Sequence, residues 1–189
     1  MLLLGGALVG LLAGLLTGGS LNNLLGRRLR WPLVVVAAFV VKELEIRSPL
    51  GSTDLAPPLF VLSLLVLIAW TLWHRSELPG IWLVSAGMTL NLVVVLANAG
   101  HMPVAAAAAH LGPPQLQDQG VWAEYVLMGP GTRLGWLGDW LLLPWPVSRA
   151  FPQAYSPGDM VSLAGLGAVL FFGTRPRHVR ETQGAITTR

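Results

Sequence analysis

Two aspartates stand near the C-terminal end of the chain, Asp139 closing the stretch TRLGWLGD and Asp159 closing SPGD just before the last long apolar run. A carboxylate taken out of water is costly unless something pairs with it, so an acid beside an apolar segment marks either a cap or a site. Two carboxylates held near each other share a proton, one raised in pKa and the other lowered, which is the requirement for activating a water. Asp139 and Asp159 are therefore the candidate catalytic residues. Each also has a structural use. Asp159 follows Pro157-Gly158 at a helix start, where Ser156 as N-cap and Asp159 as the third helical residue make a capping box contributing about 0.5–2 kcal/mol. Asp139, between Gly138 and Trp140, can instead pair with Arg133 or Arg149.

A second set of polar residues comprises Asn91, Asn98, His101 and Arg133. Asn91 and Asn98 are seven apart and so share a helix face. Asparagine inside a membrane helix makes either a helix-to-helix hydrogen bond, of about 0.6–2 kcal/mol, or part of a cavity wall. His101 and His110, nine apart, match no compact metal spacing, and the chain has no cysteine. No metal site and no cofactor is expected, and neither a phosphate-binding glycine loop nor a Ser/His/Asp arrangement stands out.

The elements that position these residues follow from composition. Of 189 residues, 53% are hydrophobic and 11% charged, against about 25% charged in soluble domains. An all-α integral membrane protein with five transmembrane helices is expected, with spans at about 2–19, 32–46, 58–73, 81–97 and 160–173. Residues 2–19 lack the basic leader and small-residue cleavage pattern of a signal peptide and read as a retained span. Gly6, Gly10, Gly14 and Gly18 recur every fourth residue there, a small-residue face for helix packing within the bundle or against another membrane subunit. The second span ends in Lys42, Glu43 and Glu45; Lys42 and Glu45 are placed to pair, and the three read chiefly as a polar helix end at the headgroups.

Residues 98–159 are rich in Gly and Pro and contain no run long enough to span. They form an external elaboration in which 105–110 and 121–128 are expected as short helices and 134–143 as an interfacial segment, with Trp136 and Trp140 at headgroup depth. Residues 174–189 form a basic tail. Arg27, Arg28, Arg30, Arg75, Arg175, Arg177, Arg180 and Arg189 then fall on one side, eight of the twelve basic residues, while Arg47, Arg133, Arg149 and Lys42 fall on the other. The positive-inside rule puts the N-terminus outside and the C-terminus inside a multi-pass cell membrane protein. Membrane lipids are the expected partners. The small basic excess is orienting charge and gives no reason to expect nucleic acid.

The Leu- and Gly-rich first span, NAGHMP at 98–103, TRLGWLGD at 132–139 and SPGD at 156–159 before a terminal helix together resemble the bacterial membrane proteins catalogued as domain of unknown function 5317. The likeness covers nearly the whole chain and implies a helical membrane fold, with no activity, cofactor or substrate attached. A partial resemblance links Asn98-Ala99-Gly100, Asp139 and Asp159, in that order, to lipoprotein signal peptidases, whose second catalytic Asp opens the final transmembrane helix. The sequence around Asp139 and Asp159 departs from the peptidase motifs, and there is an additional span. The sequence thus presents a non-catalytic membrane protein, either an accessory subunit of a membrane complex or a lipid- or quinone-contacting module, with an intramembrane aspartyl hydrolase built on Asp139 and Asp159 as the alternative.

Overall fold

The computed structural model describes residues 2–176; Arg177, Arg180 and Arg189 of the basic tail lie outside the described residues. Five long helices carry the fold: α1 (Leu2–Leu16), α3 (Pro32–Arg47), α4 (Ala56–Trp73), α5 (Ile81–Ala97) and α8 (Pro157–Gly173). Shorter helices α2 (Leu21–Leu25), α6 (Pro114–Gln119) and α7 (Val147–Ala150) lie in the connections. The long helices fall where the apolar runs are, and three open with proline in the first turn, where the missing N–H costs nothing. Helix α1 stops at Leu16 because Gly18 takes a left-handed backbone (φ +87°).

Among the described residues, α4 alone is long and apolar enough to cross a membrane by itself, with mean hydropathy 2.0 over 18 residues. Helices α5 and α8 are apolar but one residue shorter, at 17. The span expected at 2–19 becomes a helix of 15 residues, and the shorter one expected at 32–46 a helix of 16. Large apolar side chains nevertheless cover the outside of the bundle, including Leu16, Leu33, Phe39, Leu62 and Leu96, each at least half exposed.

The helices pack in the order α1, α8, α5, α4, α3, so α1 and α3 are the ends of a curved row. Glycine makes the tightest joints. A side chain at Gly10 would run into the backbone of Gly167, and one at Gly14 into the Thr174 hydroxyl, tight against the Phe171 backbone. Gly6 similarly lies under Leu163, so three of the four glycines of the α1 face close on α8 within this chain, while Gly18 faces open space. On its other side α8 approaches α5 through Gly158 and Gly165, whose missing side chains let it meet Gly87 and Val84.

One end of the bundle is tied by arginines. Arg27 donates to the carbonyls of Phe172 and Gly173 at the end of α8 and to that of Glu77, satisfying carbonyls that a helix end leaves open. Arg175 donates to the carbonyl and hydroxyl of Thr17 after α1, at 2.8 and 2.6 Å. Trp70 and the buried His74 of the α4 end hold the Arg30 backbone through bonds of 3.0 Å each. Arg27, Arg30 and Arg175, three of the arginines that the sequence assigns to one side, thus gather at one end.

The opposite end carries a cap that is not all helical. Strand β1 (Met102–Val104) pairs in parallel with β3 (Tyr125–Leu127), which pairs antiparallel with β2 (Val121–Trp122). Strands β4 (Leu141–Leu142) and β5 (Ala154–Tyr155) form a second small sheet. The expected helix at 121–128 is thus a hairpin. Its Val, Trp and Tyr residues favour the pleated surface, and Ala123 at φ +50° turns the chain where a helix would continue. The expected helix at 105–110 is a 3-10 helix over Ala106–Leu111. In the segment expected at the interface, Trp136 and Trp140 are exposed, as is Trp145; Trp122, in contrast, is buried and donates from Nε1 to the Ile46 carbonyl at 3.0 Å.

Candidate functional site

Asp159 sits at the first turn of α8, where Ser156 Oγ accepts from the Asp159 N–H at 2.9 Å and the Asp159 carboxylate accepts from the Ser156 N–H at 3.1 Å. This reciprocal capping box is the arrangement expected from SPGD. The other carboxylate oxygen accepts from Asn91 Nδ2 of α5 at 2.9 Å, and Ser156 Oγ donates to Asn91 Oδ1 at 2.8 Å. The three side chains close a ring across the α5–α8 joint, and both Asp159 oxygens are engaged in it.

The charges at the end of α3 divide, Glu43 and Arg47 staying exposed while Glu45 and Lys42 turn inward to different degrees. Glu45 is fully buried, and Lys42 turns to Glu124 of the β2–β3 turn, with Nζ 3.2 Å from Oε1. The expected Lys42–Glu45 pair is replaced by this contact, because the hairpin docks on the end of α3. The Ala123 N–H donates to the Gly51 carbonyl at 3.0 Å, and Trp122 holds Ile46, which delivers the buried Glu124 to the lysine. Lys42 also lies over the Phe60 ring, 5.5 Å from its centre. Arg47 pairs with Glu43 one turn back at 2.6 Å on the exposed face.

Asp139 is placed by its backbone. Its N–H donates to the Pro103 carbonyl at 2.8 Å and its carbonyl accepts from the Ala105 N–H at 2.9 Å, extending the sheet alongside β1. Gly138 permits this approach, since a side chain there would press on the Pro103 carbonyl and Met128. The side chain is 8% exposed, forms no ion pair with Arg133 or Arg149, and its Oδ1 has no hydrogen-bond partner among the described residues. Burial, reinforced by the charges of Asp159 and Glu124 and opposed by Lys42, pushes the Asp139 carboxyl well above the ordinary carboxylate range. Burial likewise raises the Tyr125 phenol, against the lowering effect of Lys42.

Asp139 and Asp159 face a common cavity of about 230 Å3 bounded by Phe39, Lys42, Phe60, Asn91, Tyr125 and Tyr155. A larger cleft of about 550 Å3, walled by Val104, Ala108, Leu111 and Leu116, adjoins it and shares Ile46, Tyr125, Asp139 and Ala154. The two form a chamber beneath the cap, at the cap-side ends of α3, α5 and α8. Its size falls in the usual range for small-molecule sites, about 300–1,000 Å3. Among the described residues no three carboxylates or imidazoles converge to hold a metal ion.

The remaining polar candidates separate. Asn91 belongs to the Asp159 ring, whereas Asn98 ends α5 and brackets the Arg133 backbone, donating to its carbonyl at 2.8 Å and accepting from its N–H at 2.9 Å. His101 follows through its N–H on the Asn98 carbonyl, and burial lowers its imidazole pKa. Asn98, His101 and Arg133 thus pin the cap to the end of α5. Lys42 and Tyr125 are chamber residues outside the sequence-based site candidates, and Glu124 is the buried partner of Lys42.

A family match runs over residues 27–172. The chain belongs to the family of unknown function DUF5317. The matched DUF5317 segment takes in Arg27, the cap and every residue named above as lining the chamber, while α1 and α2 precede it. No curated protein and no solved structure matches the chain, so the peptidase likeness gains no support from known proteins.

Proposed function

We propose that this DUF5317 protein is a multi-pass membrane protein of five helices whose chamber holds the polar head of an amphipathic small molecule, a lipid or a quinone, at the outer membrane face. The observation that carries the reading is the chamber itself, where aromatic and aliphatic walls surround a few converging polar groups. Helix α3 packs on α4 and not extensively on α8, and an apolar tail would leave the chamber on that side. Three apolar helices besides α4, the exposed apolar side chains of the bundle and the arginine-tied opposite end support membrane residence with that end in the cytoplasm.

Extraction in a mild non-ionic detergent followed by native mass spectrometry tests this. A small molecule retained by the folded protein is expected. A stoichiometric protein partner with an empty chamber would replace the reading with that of an accessory subunit.

A further inference from the structure

Resting on that reading, we infer that the amphiphile bound in the chamber carries a protonated amine, and that Asp139 is the residue that receives it. The smaller cavity presents Asp139 and Asp159 with one ammonium, that of Lys42, which is already matched to the buried Glu124, while Arg47 and Glu43 of the larger cleft pair with each other. Asp159 spends both oxygens on the capping ring. Asp139 does not, because its Oδ1 is buried, lies on the chamber wall and lacks a hydrogen-bond partner among the described residues. A buried carboxylate oxygen without a donor is costly in a folded protein, and a ligand N–H supplies that donor.

The rest of the wall suits the same group. Phe39, Phe60, Tyr125 and Tyr155 line the smaller cavity, where the Phe60 ring already carries the Lys42 ammonium at 5.5 Å, and aromatic walls are compatible with a cation. A metal ion is a poor alternative occupant because no three ligating groups converge among the described residues. A phosphate or carboxylate head would meet the Asp159 carboxylate with like charge, whereas an ammonium favours the ionised form of Asp139, which releases its proton to solvent on binding. The amine is the head group whose charge and donors both fit.

The test is a thermal-stability titration of the whole protein in uncharged maltoside micelles with octylammonium and, separately, octanol. A ligand that binds only the folded state raises the unfolding midpoint. Octylammonium is expected to raise it, with apparent affinity falling about 10- to 100-fold in Asp139→Asn, the range for a hydrogen bond to a charged group. The exposed-site variant Asp118→Asn should respond as wild type. Should Asp139→Asn fail to fold, Asp139→Ser serves the same purpose. Equal responses to octylammonium and octanol, unchanged by the substitution, would overturn the amine assignment while leaving the amphiphile reading in place. No response to either compound would remove both.

Discussion

Asn91 of α5 donates to the Asp159 carboxylate of α8 at 2.9 Å, joining residues 68 positions apart. That bond fixes the mouth of α8 against α5 and leaves Asp139 as the acid on the chamber wall without a hydrogen bond to one of its oxygens. The sequence offers both Asp139 and Asp159 as candidates and marks Asp159 first as a helix-start cap. The structure gives them different surroundings, one engaged in a helix cap and the other exposed to the cavity.

The capping ring should be felt as a unit. Ser156→Ala removes the hydroxyl that serves both the Asp159 N–H and Asn91, and is expected to cost about 1–2 kcal/mol. Asn91→Ala should cost a similar amount, and the double variant should cost less than the sum because the residues share partners. Thermal unfolding of the detergent-solubilised protein measures all three.

The glycine face of α1 should be position-specific. Gly10→Ala forces a side chain into the Gly167 backbone and is expected to destabilise by about 1–3 kcal/mol. At Gly5 the nearest obstacle to a side chain is the Phe151 ring, 3.4 Å away, so Gly5→Ala should change the unfolding midpoint little. Equal effects at the two positions would argue against close α1–α8 packing.

Asp139 should make stability depend on pH. With its folded-state pKa raised, the folded chain keeps a proton that the unfolded chain releases near pH 4. The stabilising contribution is present below that pH and is lost as pH rises through the folded-state value. The groups setting this balance are Asp159, Lys42 and Glu124, with Tyr125 beside them on the chamber wall. Asp139→Asn is therefore expected to unfold at a higher temperature than wild type at about pH 8, with the difference closing towards about pH 5. A difference independent of pH would contradict the assignment.

Sidedness can be read from single cysteines, since the native chain has none. A cysteine replacing exposed Gly131 of the cap should react with an impermeant maleimide in intact cells. One replacing exposed Ser76, between α4 and α5, should react only after permeabilisation. The reverse pattern would invert the proposed topology.

Hydropathy made the five long helices legible, and SPGD announced its capping box because helix starts obey local rules. The chamber was not legible. Lys42 and Glu124 are 82 positions apart, and only the docking of the hairpin on α3 brings them together, so Lys42 reads from its neighbours as the partner of Glu45. The hairpin itself was hidden because a short apolar run such as VWAEYVLM suits a helix or a strand, and the turn at Ala123 depends on tertiary contact with Gly51. Asp139 stood out as an acid in an apolar setting, but its missing partner is a property of the folded cavity.

The most direct test of the account is whether filling the chamber expels its occupant. Ala154 borders both parts of the chamber, so Ala154→Trp should leave a folded protein whose native mass spectrum lacks the small molecule that wild type retains. The same bound mass on both proteins, or none on either, would contradict a ligand-holding chamber.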